Sequence, residues 1–329
     1  MKRIFSAFLA LTIIASLLCW NVTPARAEAA KQLSIVTTIF PEYDWVRQIL
    51  GDKFPDANVT MLLDNGVDLH SYQPTVDDIV KIATCDLFIY VGGESDSWVE
   101  DALKHSVNKD MKVINLLEVL GDSVKAEETV EGMQETAHND NEDDDHEEHE
   151  EEKDEHVWLS LRNAKVLCNA ISQALQALDP ENEDVYAANA EAYEKQLSAL
   201  DEKYQEAVDN AAYKTLLFGD RFPFRYLTDD YGLRYYAAFS GCSAESEASF
   251  DTIHFLAKKL DELGLPCILT IEGTQHRIAE TIVENTTAKN QKVLSMDSMQ
   301  STTLKDVAQG ITYLSVMEKN LDVLTDALG

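Results

Sequence analysis

The chain has 329 residues, with 59 acidic side chains against 27 basic ones and a formal net charge of −32 at pH 7. An excess of this size argues against nucleic acid or anionic lipid as a partner and suits cations. The length is most simply two domains.

Lys2 and Arg3 precede an apolar run from Ile4 to Trp20, and Ala25-Arg26-Ala27 follows it. This pattern reads as a secretory signal peptide over 1–27 and is set aside from fold reasoning. Leu17-Leu18 ahead of Cys19 lacks the small residue that a lipid-modification box wants. A soluble periplasmic protein is therefore expected rather than a lipid-anchored one. Without residues 1–27 the formal charge moves from −32 to −35, because Lys2, Arg3 and Arg26 leave and no acid does. Later segments are too short or too polar to span a bilayer. Cys85, Cys168, Cys242 and Cys267 remain, with no CxxC among them, and their pairing is left open.

The β-branched run 33–39 reads as a strand. Pro41 with Trp45, Ile49 and Leu50 then gives a helix ending at Gly51. A strand over 59–63 leads into the loop from Asp64 to His70, and Thr75 with Asp78 starts a short helix in capping-box spacing. A buried strand over 86–91, closed by Gly92-Gly93, a helix over 95–107 and a strand over 112–116 follow. This alternation predicts a mostly parallel sheet with helices on both faces. About 35 residues without periodicity, 121–155, come next; loops of that length are functional or disordered. Ala164, Leu167, Ile171, Ala174 and Leu178 mark a helix that stops at Asp179-Pro180. A second helix over 183–211 would span roughly 40 Å. Strands over 215–218, 233–239, 266–271 and 292–295 then alternate with helices over 222–231, 249–263 and 275–288, and an amphipathic helix runs from Thr303 to the end. The expected fold class is α/β: two Rossmann-like lobes, 28–180 and 212–329, with mostly parallel sheets, joined by a long rigid helix within 181–211. Ligands of open α/β sheets bind beyond the carboxyl ends of the strands, so the expected site is the cleft between the lobes.

Four of the eight histidines, His138, His146, His149 and His156, fall in the acid-rich stretch 136–161. Residues 127–155 carry sixteen acids against Lys153 alone. Such a run cannot bury enough surface to fold and is expected to be solvated and mobile, yet it offers imidazoles and carboxylates to a borderline metal such as Zn²⁺. Its ordinary reading is a solvated acidic loop. His156 stands where the run meets Val157 and Trp158, and Trp158 should anchor it. His70 and Asp297 lie just after strands. Two imidazoles and a carboxylate converging on a cleft are an ordinary zinc ligand set. His105, His254 and His276 lie in or at the start of helices and read as surface residues.

Four motifs, Gly66-Val-Asp-Leu-His-Ser-Tyr-Gln-Pro-Thr75, Asp154-Glu-His-Val-Trp-Leu-Ser160, Tyr226-Leu-Thr-Asp-Asp-Tyr-Gly-Leu233 and Met296-Asp-Ser298, stand in order along essentially the whole mature chain. Together they resemble those of bacterial solute-binding protein family 9, which delivers zinc or manganese to ABC importers. The resemblance implies two lobes joined by a rigid helix with metal between them. It also implies His70 and His156 as the first two ligands, Asp297 as a second-lobe carboxylate, and the His-rich loop ahead of the second histidine as an accessory of the zinc-specific members. One position departs from the pattern. Where the family places a His or Glu five residues before the tyrosine matching Tyr226, this chain has Arg221, which offers only donors and cannot ligate a metal. The remaining ligand is expected from Glu245, ahead of Asp220, with Cys242, Glu272 or a loop imidazole as the other choices.

The reading is a monomeric, non-enzymatic periplasmic receptor that captures Zn²⁺ for a cognate ABC importer permease. Manganese is the alternative cargo, and a zinc buffer in which the loop alone is functional is the alternative role. A zinc hydrolase is the remaining class, with neither HExxH nor GxSxG to support it.

Overall fold

A computed structural model describes residues 32–134, 152–243, 247–273 and 276–329. Two four-stranded sheets are built from strands β1 (Ser34–Thr37), β2 (Asn58–Met61), β3 (Leu87–Tyr90) and β4 (Lys112–Asn115), and from β5 (Thr215–Phe222), β6 (Arg234–Ser240), β7 (Cys267–Ile271) and β8 (Lys292–Met296). Every pairing is parallel, and the orders β2-β1-β3-β4 and β6-β5-β7-β8 repeat the same pattern. Leu87, Phe88 and Ile89 of β3 and all of β7 are buried, as parallel strands covered on both faces require. In each sheet the order reverses beside the first strand, between β1 and β3 and between β5 and β7. That reversal opens a crevice at the carboxyl ends.

The 27-residue helix Glu183–Asp209 buries Tyr186, Tyr193, Leu197, Leu200, Tyr204 and Val208 on one stripe. The stripe packs on helices Phe40–Leu50 and Leu161–Leu178 and on the C-terminal helix Tyr313–Leu328. Tyr204 donates its hydroxyl to Met317 O at 2.7 Å. One buried apolar cluster runs from Ile35 and Phe88 of the first sheet to Phe218, Leu269 and Leu324 beside the second. A smaller one, around Leu217, Leu256, Ile268 and Ile282, covers the second sheet's other face. Among the described residues no helix is long and apolar enough to cross a membrane.

Several boundaries differ from expectation. Strand β5 continues past 218 to Phe222, with a register irregularity between Phe218 and Arg221, and the next helix begins only at Arg225. Pro223 accounts for this, since the residue before a proline is driven to extended backbone. The helix expected from 303 onward is two, Leu304–Ala308 and Tyr313–Leu328, because Thr312 caps the second through Ser315 N at 3.1 Å. The heptad-like apolar spacing therefore runs across a break. The helices expected over 95–107 and 275–288 shorten to Val99–Lys104 and Arg277–Glu284.

The flanks of the acidic stretch are pinned rather than free. Ala126 and Lys153 form an antiparallel bridge, with Glu127 N on Glu152 O at 2.8 Å and Asp154 N on Lys125 O at 2.9 Å. Residues 125–134 reach second-sheet elements through Lys125 with Asp229 (2.8 Å), Glu128 with Arg225, and Gln134 N with Ala238 O (3.0 Å). His138, His146, His149 and Glu245 lie outside the described residues.

Candidate metal centre

His70 occupies the short turn Leu69–Ser71. Asp68 caps that turn by accepting from His70 N at 3.0 Å, while Leu69 and Tyr72 bury on either side. The ring's Nδ1 lies 2.8 Å from Ser95 Oγ and 3.5 Å from Glu155 Oε2. His156 is fully buried ahead of the turn Val157–Leu159, whose three residues are also buried. Trp158 fastens this turn to the other sheet: its Nε1 donates to Ser298 O at 2.9 Å, and its carbonyl accepts from Tyr313 OH at 2.7 Å. The anchoring expected of Trp158 is therefore a pair of hydrogen bonds to second-sheet elements as well as packing.

The two imidazoles meet Nε2 to Nε2 at 3.2 Å. A tetrahedral Zn²⁺ with Zn–N bonds of ordinary length separates two nitrogen ligands by about 3.4 Å. The observed spacing therefore suits one ion bound to both. Cys242, in the turn after β6, completes a group in which one ligand atom from each of His70, His156 and Cys242 lies within 4.8 Å of the others. A tetrahedral nitrogen-to-sulfur edge is about 3.6 Å, so a shift of about 1 Å brings the sulfur into range. Cys242 N donates to Glu127 Oε1 at 3.0 Å, which ties its turn to the flank of the acidic stretch.

Proton positions follow from the partners. Asp154 Oδ1 accepts from His156 N at 2.9 Å and faces His156 Nδ1 at 3.0 Å. A carboxylate only accepts, so Nδ1 carries the proton and Nε2 presents its lone pair. The 3.2 Å contact then takes its proton from His70 Nε2. A cation that replaces this proton needs His70 protonated on Nδ1 instead, where Ser95 Oγ and Glu155 Oε2 can accept. Glu155 Oε2 is otherwise buried without a hydrogen-bond partner. Such outer partners fix the tautomer and orientation of a ligating imidazole.

Burial, followed by the neighbouring His156, pushes His70 down to about 3, so it stays neutral and able to ligate. Burial drives the Cys242 thiol well above its ordinary value, so a bound dication is what would remove its proton. Two glycines make the close packing possible. A Cβ on Gly93, at φ +83°, would stand 2.3 Å from Glu155 Oε1, and one on Gly241 would stand 2.9 Å from both His156 Cε1 and Phe222 O.

A profile described as zinc-uptake complex component A, periplasmic (ZnuA), matches residues 35–327. The chain belongs to this ZnuA family. It is 29% identical over 337 residues to the zinc-binding protein AdcA of Streptococcus pyogenes, covering 98% of this chain and 62% of the relative. It thus spans less than two thirds of that protein. The high-affinity zinc uptake system protein ZnuA of Bacillus subtilis is 28% identical over 312 residues, covering 94% of this chain and 92% of its own. Among solved structures, the Zn(II)-bound ZnuA-like domain of Streptococcus pneumoniae AdcA superposes with a TM-score of 0.69 at 29% identity, over 90% of this chain and 99% of that one. The expected fold, two parallel α/β sheets joined by a long helix, is the one found.

The structure brings His70 and His156 together. Asp297 stands at the end of β8 but outside the cluster. Its Oδ1 accepts from Met299 N at 2.8 Å, and its backbone is clamped by Asn320 through two bonds of 2.8 Å. Burial and then Glu272 push its carboxyl up to about 6. Arg221 Nη2 donates to Asp68 Oδ2 at 2.8 Å, and Nη1 lies 3.5 Å from Ser243 O. Asp220 accepts from Arg221 N at 2.9 Å, and Glu272 accepts from Ser298 N at 2.7 Å. Cys242, one choice among several in the sequence, is the one that reaches the histidines among the described residues. Asp154, Glu155 and Ser95 behind the rings had no residue-level signal beyond lying in or near a recognisable motif.

Proposed function

We propose that this chain is an exported receptor that captures Zn²⁺ through His70, His156 and Cys242 and hands it to the permease of an ABC importer. The observation that carries the reading is the 3.2 Å Nε2-to-Nε2 approach of two buried imidazoles with a thiol in the same cluster. Two nitrogens and a sulfur favour zinc over manganese, which prefers more oxygen ligands. Zinc is cargo here, not a cofactor. Membership in a zinc-uptake family sets the hydrolase alternative aside. The curated relatives are named as zinc-binding or zinc-uptake proteins, and a pneumococcal one as a lipoprotein. Binding releases the Cys242 proton to solvent and shifts the His70 proton from Nε2 to Nδ1.

The test is metal content of the exported protein and competitive zinc titration, with His70→Ala, His156→Ala and Cys242→Ala beside the parent. One tight site lost in the histidine variants supports the receptor. A variant lacking 135–151 separates receptor from buffer, because a tight site that survives the deletion belongs to the cluster. Weak residual binding after the deletion would mean that the acidic stretch is the functional part.

A further inference from the structure

We propose that Glu127 is a positioning residue of the metal centre: it holds the turn that carries Cys242, so that the sulfur reaches an ion on His70 and His156. This rests on the reading of those three residues as the zinc site. The direct observation is one hydrogen bond, from Cys242 N to Glu127 Oε1 at 3.0 Å, between residues 115 apart in the chain. A backbone N–H donating to a carboxylate is charge-assisted, roughly twice as strong as a bond between neutral groups. The bonds at the next residue are longer, Ser243 N to Ser240 O at 3.4 Å and Arg221 Nη1 to Ser243 O at 3.5 Å.

Cys242 needs such a guide because of where it lies. The parallel ladder between β5 and β6 ends at Phe222 and Ser240, so Cys242 stands beyond the bonds that hold β6. A ligand on a turn is less well placed than one on a strand or helix unless supporting bonds fix it.

Glu127 can supply that support because its own backbone is fixed. Ala126 bridges Lys153, Glu127 N donates to Glu152 O at 2.8 Å, and Asp154 N donates to Lys125 O at 2.9 Å. These two segments make a short strap. Tyr226 OH stitches it, accepting from Lys125 N at 3.0 Å and donating to Asp154 O at 2.8 Å. Lys125 pairs with Asp229 at 2.8 Å, while Glu128 pairs with Arg225 and accepts from Tyr235 OH at 2.9 Å. The strap is thereby fastened to the helix Arg225–Tyr231 and to β6. One of its segments ends in Asp154, whose carboxylate faces His156 Nδ1, and the other carries Glu127. A single element therefore orients His156 through its ring and Cys242 through its backbone.

The test uses the full exported chain loaded with Co²⁺, whose thiolate-to-metal charge-transfer band in the near ultraviolet reports sulfur ligation. Competitive titration with Zn²⁺ and Mn²⁺ is run beside it, and melting of the metal-free proteins checks folding. The parent is expected to show the band. Glu127→Ala should lose most of it, weaken zinc about ten- to hundredfold and narrow the preference for zinc over manganese. Glu127→Gln keeps an acceptor for Cys242 N and should restore most of the band. Glu128→Ala loosens the strap at Arg225 without removing the bond to Cys242, and should keep the parental band. A full band in Glu127→Ala, or in Glu127→Asp should the alanine variant not fold, would overturn the role of Glu127. Equal loss of the band in Glu128→Ala would do the same, since general order of the strap would then suffice. Absence of the band from the cobalt-loaded parent would instead overturn the reading of Cys242 beneath it.

Discussion

Asp154 carries the sharpest prediction. The residue is 2% exposed, and its carboxylate receives both the backbone N–H of His156, at 2.9 Å, and the ring Nδ1, at 3.0 Å. The backbone of Asp154 is held separately, by Lys125 O at 2.9 Å and by the Tyr226 hydroxyl at 2.8 Å. A side-chain substitution therefore leaves the chain path in place. Asp154→Asn keeps an acceptor but removes the charge that raises the basicity of Nε2. Asp154→Ala removes the acceptor as well and leaves the buried Nδ1–H unpaired. Loss of such an outer partner costs ten- to hundredfold in metal affinity, about 1.4 to 2.7 kcal/mol. The asparagine variant is expected near the lower figure and the alanine variant near the upper. Competitive zinc titration reads the affinity, and thermal melting of the metal-free protein confirms that both variants fold. Parental affinity in the alanine variant, with an unchanged melt, would refute the tautomer argument.

Three further outcomes follow from the geometry. Gly241→Ala places a Cβ 2.9 Å from His156 Cε1 and Phe222 O; it should lower stability by about 1 to 3 kcal/mol and zinc affinity by at least about tenfold, and a variant with parental affinity would show that the ring can yield. Zinc affinity should rise about tenfold per pH unit above the histidine range as the Cys242 proton is released, because burial holds that thiol high; Cys242→Ser should bind more weakly with a flatter profile, and a flat parental profile would remove the thiolate from the ligand set. Glu42, buried and then opposed by Asp96, is pushed up to about 8 while its carboxyl accepts from Thr38 N at 2.7 Å. A raised carboxyl pKa favours the protonated form in the folded state, so this contribution is complete below about 4.5 and is lost as pH rises through about 8. Glu42→Gln should therefore raise the melting temperature by several degrees near pH 9, reflecting on the order of a few kcal/mol. That gain should fade near pH 4; parallel melting profiles for the two proteins would exclude it.

The α/β class and the order of strands along the chain are legible in the sequence because each rests on local chemistry, and the motifs single out the two histidines. Apolar runs such as Leu87-Phe-Ile89 can only be covered strands. Asp68 and Asp154, each two residues before its histidine, accept from that histidine's backbone N–H. Local periodicity was less reliable where one residue overrides it, as Pro223 does in prolonging β5 and Thr312 does in splitting the C-terminal helix. That Cys242 joins the histidines among the described residues is visible only in three dimensions. Cys242 follows β6 in sequence, and its approach to His156 depends on how the end of β6 packs. Gly241 lies against that ring, and Cys242 N is tied to Glu127 on the flank of the acidic stretch. Asp297 was legible as a residue at a strand end, but its engagement by Met299 and Asn320 is a fact of packing. The pairing of Arg221 with Asp68, 153 residues away, is of the same kind. Charge and hydrogen-bonding capacity are written in each side chain. Which groups share a few ångströms is set by the packing of two sheets against each other, and no periodicity in the chain encodes it.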